Sequence, residues 1–480
     1  MDKKVYPFKT VPYDHQFVCW DRSKEEEAYG LFMDMGTGKS KVMIDTFSYL
    51  YDASKIDCVL ILAGKGSYAD WVDEHIPIHI PSHIKYKILL WDSTKAGNKG
   101  FKHDFDDICR PCDQLRILVM NTEAMSAKKP IDAAYRFVSG AKCIMGIDES
   151  TMIKNHKAKR TIACKNIGLQ ALYRRIMTGR PIVQNPLDVF AQMDFLGQEL
   201  HGHSTYFSFR ARYAIMEDQR ISRDRIIKKV TGYQRVDELI EMMKKFSFQI
   251  YKEDCLDLPD KVFETIKVEL TDEQQSLYDD MLGLAVAEYQ GEELTASNAL
   301  GVLLRIHQIT CGIFPVIDGT NKLLENNKME ALLNVIEEMN GKIIIWAGYK
   351  DNLQQIAEVL KEKYGSHTVG TYYGATPRDE RKVNIQRFQD PDDSMRFFVG
   401  SPQTGAYGIT LTEAQNVIYY SNSFNLEHRL QSEDRAHRIG QKKTVTYVDI
   451  ITKKTIDEKI VMALKAKKTL SDMVLDCLGG

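Results

Sequence analysis

The chain has 480 residues, too many for one hydrophobic core of ordinary size, so two or three domains are the default expectation. Hydrophobic residues make up 44% and charged residues 27%, the composition of a soluble globular protein, and no run of 18 apolar residues offers a membrane span. With 64 Lys+Arg against 66 Asp+Glu the net charge is −2, which excludes coating of nucleic acid by bulk charge and confines any such site to a local patch.

From the N-terminus, Met1 to Thr10 carry charge and proline where a secretory signal needs an apolar stretch. The chain is therefore expected to stay in the cytoplasm where it is made. Nine cysteines without a disulfide-like framework fit a reducing compartment. Next comes Met33-Asp34-Met35-Gly36-Thr37-Gly38-Lys39-Ser40, which reads as a phosphate loop. Its glycines let backbone N–H groups approach phosphate oxygens at the start of a helix whose dipole favours anions. Met35, Gly36, Thr37 and Gly38 are then the backbone cradle, Lys39 reaches the β- and γ-phosphates, and Ser40 holds Mg²⁺. The eight-residue motif asks for glycine at its first position, where Met33 stands.

Four short apolar runs follow: Cys58 to Ala63, Arg116 to Asn121, Cys143 to Asp148 and Tyr173 to Thr178. They are too short for helices and lack clean alternation, as strands buried on both faces of a parallel sheet do. Their alternation with helical stretches predicts a doubly wound α/β domain. Cys109 and Cys112 have C-x-x-C spacing with His103 nearby, but no second ligand pair is visible and a solvent-side loop is the reading. The third run delivers Asp148 and Glu149 at its C-terminal end, where ligands bind in open α/β sheets. Asp148 suits a Mg²⁺ contact, and Glu149 suits the base that orients an attacking water. An Asp-Glu pair at a strand end is common, so its weight comes from the phosphate loop upstream.

Thr205 to Arg235 holds Arg210, Arg212, Arg220, Arg223, Arg225, Lys228, Lys229 and Arg235 against Glu217, Asp218 and Asp224. It is either a nucleic-acid patch or a solvated helix face. Thr271 to Thr310 reads as helical. The second half then repeats the strand pattern at Lys342 to Ala347, Arg396 to Gly400, Val417 to Ser421 and Val445 to Ile451. Within Gln431 to Gln441, Arg435 and Arg438 stand three apart and would share a helix face. Two guanidinium forks there suit a transferring phosphoryl group, or else surface ion pairs. Thr455 to Leu475 is again helical and rich in lysine.

In order and spacing these pieces resemble the motifs of superfamily-two helicases, and within them the Swi/Snf-type DNA translocases. Tyr13-Asp14-His15-Gln16 is similar to the adenine-reading glutamine motif, and Asp34 to Ser40 to motif I. Trp71-Val72-Asp73-Glu74 stands where the family carries W-x-x-E, and Asp148 to Asn155 resembles motif II. Met177 to Asn185 resembles motif III, Leu258 to Lys261 with Leu270 to Tyr278 the passage between lobes, and Leu304 to Cys311 the "L-R-Q-I-C" segment. Gly405 to Leu411 looks like motif V and Gln431 to Gln441 like motif VI. The chain departs from the pattern at Ser150 and Thr151, where alanine or glycine then histidine are usual. It departs again at Arg180 for threonine and Tyr407 for glycine.

The resemblance implies two RecA-like doubly wound parallel-sheet lobes: 1–245, with a reduced helical insertion near 196–246, and 246–480, with a helical insertion near 271–325. It implies ATP and Mg²⁺ held by Gln16, the loop from Met35 to Ser40, Asp148 and Glu149, with Gln431, Arg435 and Arg438 completing catalysis from the second lobe. Thr178, Gly179, Gly405 and Gly408 would couple nucleotide state to DNA grip. Lys65, Thr122, Thr404 and Thr410 would touch DNA phosphates, which carry no sequence information. The partner implied is DNA, double-stranded or branched, with the protein a monomer off the membrane. The compact form suggests a bacterial or bacteriophage source. A strand-separating helicase on DNA or RNA and an ATP-gated clamp that does not move remain the rival readings.

Overall fold

The computed structural model describes residues 6–182, 185–222, 225–255, 258–291, 296–315, 321–405, 409–422 and 425–464. The described residues fall into two compact units, one ending at residue 255 and the other beginning at residue 258.

Unit 1 is built on β1 (Ala28–Met33), β2 (Cys58–Ala63), β3 (Tyr86–Leu90), β4 (Leu115–Asn121), β5 (Cys143–Asp148), β6 (Tyr173–Met177) and β9 (Ser247–Ile250). They lie in the order β3-β4-β2-β5-β6-β1-β9, and every neighbouring pair is parallel. All six residues of β2 are buried, because helices cover both faces of a parallel sheet. Its side chains alternate between two cores. Cys58, Leu60 and Leu62 enter one, and Val59, Ile61 and Ala63 enter the other.

The expected lobe boundary at 245/246 falls just ahead of β9, which pairs with β1 from Gly30↔Ser247 to Met33↔Ile250, so the compact unit extends past it. The stretch expected as a reduced helical insertion, 196–246, holds an antiparallel ribbon instead. Its strands are β7 (Ala214–Ser222) and β8 (Arg225–Tyr233), between the helices Tyr206–Tyr213 and Val236–Lys244. The register sets Asp218 opposite Lys228, the opposite-charge pairing that favours a ribbon. Part of the basic patch of that region therefore lies on strands, not on a helix face. Further back, His103 and Cys109 lie on the helix Lys99–Cys109 and not on a loop, while Cys112 is exposed.

Unit 2 repeats the architecture with β10 (Lys261–Val268), β13 (Lys342–Trp346), β14 (Val369–Tyr372), β15 (Phe397–Gly400), β16 (Ala414–Tyr419) and β17 (Val445–Thr452). The order is β10-β17-β16-β13-β15-β14, again parallel throughout. The expected helical insertion appears as Asp272–Gly291 and Ala296–Thr310, followed by a small antiparallel pair, β11 (Ile313–Pro315) and β12 (Asn321–Leu323). Residues 456–464 are helical, and the rest of the expected C-terminal helix lies outside the described residues. No helix among the described residues is long and apolar enough to cross a membrane.

A buried ionic cluster ties the insertion to the unit 2 sheet. Lys328 and Asp457 pair at 2.6 Å with side chains only 1% and 4% exposed. Thr310 donates to Asp457 at 2.8 Å, and His307 Nδ1 lies 2.7 Å from the Tyr349 hydroxyl. Removing one member of a buried pair strands the other charge, so Lys328→Met should cost unit 2 about 3–5 kcal/mol, with the Lys328→Met/Asp457→Leu double variant recovering most of it. Faster exchange of β17 amides reports the loss. Burial pushes the His307 pKa down from 6.5 to about 4. Between those values the unfolded chain binds a proton that the fold refuses, so the contribution is full above pH 6.5 and is lost as pH falls towards 4. His307→Gln should flatten that slope in denaturation curves taken across the interval.

Candidate nucleotide site

Strand order assembles the site. β1 and β5 are separated only by β6, so their C-terminal ends stand roughly 10 Å apart at strand spacing. The loop from β1, the carboxylates from β5 and Thr178-Gly179 from β6 therefore share one edge of the sheet.

The loop runs from Asp34 to Gly38 and ends in α2 (Lys39–Asp52). Gly36 and Gly38 hold φ of 78° and 96°, in the left-handed region that favours glycine. A Cβ on Gly38 would also lie 2.2 Å from Gln16 Nε2, so a side chain there would force the Gln16 amide to move. Met33, where the motif asks for glycine, is the last residue of β1 and fully buried in the core. The turn does not need its conformational freedom. The Lys39 amine is folded into the loop, donating to the carbonyls of Met33 at 2.9 Å and Asp34 at 3.3 Å. Ser40 occupies the first turn of α2, half-buried.

α1 (Asp14–Ser23) brings the glutamine motif against this loop. Gln16 Nε2 donates to the Thr37 carbonyl at 2.9 Å, while its Oε1 accepts the Tyr13 N–H at 3.1 Å. His15 Nε2 meets the same Thr37 carbonyl at 2.8 Å and so must be the donor. Buried Arg175 fixes the other end of α1, donating to the carbonyls of Ser23 at 2.6 Å, Glu26 at 2.7 Å and Arg174 at 2.9 Å. Burial lowers its pKa to about 10, which leaves it charged at neutral pH.

Asp148 ends β5. Its Oδ2 accepts the indole N–H of fully buried Trp71 at 3.1 Å, and its Oδ1 accepts the Glu149 N–H at 3.1 Å. Glu149 has φ 52° and ψ 60°, a left-handed backbone on a non-glycine residue, a costly conformation that clusters at functional sites. Beyond it, Ser150 donates to Gln192 Oε1 at 2.7 Å, and Gln192 Nε2 donates to the carbonyls of Pro181 at 2.7 Å and Asp188 at 3.0 Å. This buried bridge joins the Asp-Glu segment to the one that follows β6. In that second segment the Thr178 N–H donates to the Leu31 carbonyl at 3.2 Å, and a Cβ on Gly179 would sit 3.4 Å from Asp34 Oδ1 and Met35 N.

Asp148 and Ser40 offer hard oxygens suited to Mg²⁺. Among the described residues no group of three or more His, Cys, Asp or Glu could hold a metal alone.

In unit 2 the helix Leu426–Glu433 ends before Arg435 and Arg438, so they do not share a helix face as expected. The chain turns there, and both guanidinium groups still converge, donating to the Ile409 carbonyl at 3.1 and 3.3 Å. Arg435 Nε also donates to the Gln431 carbonyl at 2.8 Å. Gln441 Nε2 fastens this turn to the carbonyls of Thr412, Ala414 and Ala436. Gly405 packs on Trp346, whose ring a Cβ would approach to 2.3 Å. Gly408 and Tyr407 lie outside the described residues. Of the expected phosphate contacts, Lys65 is exposed and Thr404 and Thr410 are half-buried. Thr122 is a correction: it is fully buried, because the turn after β4 folds its side chain inward, so its hydroxyl does not reach the surface.

A model described as SNF2-related domain matches residues 13–313, and one described as helicase conserved C-terminal domain matches residues 327–440. The chain is similar to an uncharacterized ATP-dependent helicase of Mycoplasma genitalium, 27% identical over 465 residues, 95% of this chain and 41% of that protein. It is similar to a SWI/SNF-related matrix-associated actin-dependent regulator of chromatin subfamily A-like protein 1 homolog of Caenorhabditis elegans, 27% identical over 455 residues, 94% of this chain and 59% of that protein. A putative ATP-dependent helicase/translocase of Bacillus subtilis, YwqA, is 27% identical over 492 residues, 99% of this chain and 50% of that protein. The chain thus spans about half the length of these relatives. A solved SWI2/SNF2 ATPase core of Sulfolobus solfataricus in complex with dsDNA aligns with a TM-score of 0.44 at 22% identity, over 99% of this chain and 95% of that one.

The loop geometry makes Gly38 the residue least open to change. Gly38→Ala should lower ATP affinity by roughly 10-fold or more, since a strained left-handed residue costs of order 1–3 kcal/mol and the Gln16 amide must also move. Titration with a fluorescent ATP analogue measures it. Affinity within a factor of two of the unsubstituted protein would contradict the role given to the loop.

Proposed function

This chain belongs to the SNF2-related family, and on that premise we propose that it hydrolyses ATP to move along double-stranded DNA, remodelling DNA structures or displacing bound proteins. One observation carries the reading: a glycine turn with the Lys39 amine folded into it stands on the same sheet edge as Asp148 and the strained Glu149.

In this reading the ATP phosphates take the place that the Lys39 amine fills, and the amine leaves the Met33 and Asp34 carbonyls for phosphate oxygens. Gln16 reads the adenine and, through the Thr37 carbonyl, links that reading to the loop. Asp148 and Ser40 would hold the divalent ion, which when bound would supply neutralisation of phosphate charge. Glu149 orients the attacking water and accepts its proton. Arg435 and Arg438, with Gln431, stabilise the charge that develops on the transferring group, as a fork of fixed donors does. Thr178, Gly179 and Gly405 pass the nucleotide state on, with the Ser150–Gln192–Pro181 bridge as an added link. Lys65, Thr404 and Thr410 are the proposed phosphate contacts on the track.

Strand separation is the second reading, favoured by the antiparallel ribbon β7–β8, an element of the kind that can stand between two strands. Hydrolysis should be stimulated most by duplex DNA, and the stimulation should fall steeply with added salt as counterions compete for phosphates. Side-by-side assays with duplex, single-stranded and forked DNA and with RNA measure this. Displacement of a triplex-forming strand without unwinding of plain duplex is the expected pattern. Unwinding of plain duplex, or equal stimulation by RNA, selects the second reading. Glu149→Gln should keep ATP binding and lower turnover at least ~100-fold. Arg438→Ala should lower it by roughly 10³-fold. Near-normal turnover in either variant removes that residue from the mechanism.

A further inference from the structure

We propose that Trp71 is the positioning residue for the divalent cation, its indole N–H holding the Asp148 carboxylate in the orientation that receives the ion. The proposal rests on the reading of Asp148 as the ion's carboxylate.

Trp71 is fully buried, and its indole N–H lies 3.1 Å from Asp148 Oδ2. The two residues are 77 apart in the chain and meet because β2 and β5 are neighbours. After β2 ends at Ala63, the chain passes through a short helical turn, Tyr68–Asp70, into a single π-helical turn, Trp71–His75. Such turns recur at functional sites, where they re-aim a side chain within an otherwise regular path. His75 meets the indole edge-on, with ring centroids 5.7 Å apart at 90°, and the ring belongs to a core that includes Ile76, Ile80 and Met43. The indole therefore has little freedom to follow the carboxylate. The carboxylate must follow the indole.

The bond leaves Asp148 defined but not saturated. A carboxylate has about four lone-pair sites. Trp71 uses one on Oδ2 and the Glu149 N–H uses one on Oδ1, so both oxygens keep a lone pair for an ion or its water. The same carboxylate also accepts the N–H of Glu149, so the indole that fixes Asp148 indirectly fixes the start of the strained Glu149 backbone. Outer partners of this kind orient the groups that meet a metal, and their loss costs roughly 10–100-fold in metal affinity.

The bland alternative is that Asp148 merely satisfies a buried donor, as nearly every buried indole must be satisfied. The two differ in what the missing N–H changes. Trp71→Phe keeps an aromatic ring in the core and deletes the donor, and a benzothiophene isostere of Trp71 deletes the donor while keeping the shape. The probe is a fluorescent ATP analogue titrated against the full chain in a Glu149→Gln background, once with Mg²⁺ and once with EDTA. The readout is the ratio of the two affinities, which measures how much the ion tightens nucleotide binding independently of turnover. Asp148→Asn is the control for the underlying reading.

We expect the ratio to fall by roughly 10-fold in Trp71→Phe and in the isostere, with the affinity in EDTA unchanged. The indole N–H resonance of Trp71 should also move in Asp148→Asn. If Asp148→Asn itself leaves the ratio intact, the assignment of Asp148 is wrong and the proposal falls with it. If Asp148→Asn lowers the ratio while both Trp71 replacements leave it intact, the indole serves only the core and the proposal alone is overturned. Should Trp71→Phe fail to fold, the isostere decides between the same two outcomes.

Discussion

In a parallel sheet every strand ends on the same edge, and the strand order decides which ends become neighbours. In unit 1 the order β2-β5-β6-β1 sets side by side four ends that lie far apart in the chain. The phosphate loop, the Asp-Glu pair and the Thr178-Gly179 segment meet for that reason, and so does Trp71, which descends from β2 onto the end of β5. Apolar burial on both faces holds this order, through strands such as Cys58–Ala63 that are buried at every position. The polar chemistry is confined to the edge, where strand backbones run out of partners and loops must supply them.

Carbonyl oxygens do much of that supplying. Thr37 gives one carbonyl to both His15 and Gln16, so a change in the loop is felt directly in α1. Arg175 gathers three carbonyls at distances of 2.6 to 2.9 Å around the end of α1 and locks that helix to the sheet. Burying a guanidinium is tolerable because nearly every donor finds an acceptor. In unit 2, Ile409 offers its carbonyl to both Arg435 and Arg438.

Unit 2 also shows how the same architecture carries a different load. Arg429 lies over the Tyr419 ring at 3.6 Å and pairs with Glu433 at 2.8 Å, and with Asp449 as well. This buried network braces the helix that precedes the arginine-bearing turn. Gln441 then closes the turn with three carbonyl contacts on one amide nitrogen. No regular helix is needed to bring the two arginines together.

The sequence alone determined the repeated α/β pattern, because strands buried on both faces leave continuous apolar runs that composition makes visible. Cys58–Ala63 and Cys143–Asp148 were legible to the residue. The glycine loop, Asp148 and Glu149 could be singled out as candidates from the sequence, since backbone approach to phosphate and carboxylate chemistry restrict the residue types locally. β9 was not legible: Ser-Phe-Gln-Ile is too short to stand out, and only its pairing with β1 makes it a strand. The ribbon β7–β8 escaped because its charges read equally well on a helix face. Arg435 and Arg438 lie beyond the helix on which the sequence put them, since three-residue spacing does not reveal where a helix ends. His15, Gln192, Arg175 and the bond from Trp71 to Asp148 were decided by tertiary structure. Each depends on a partner between 22 and 152 residues away, and hydrogen bonds across such separations leave no period in the chain.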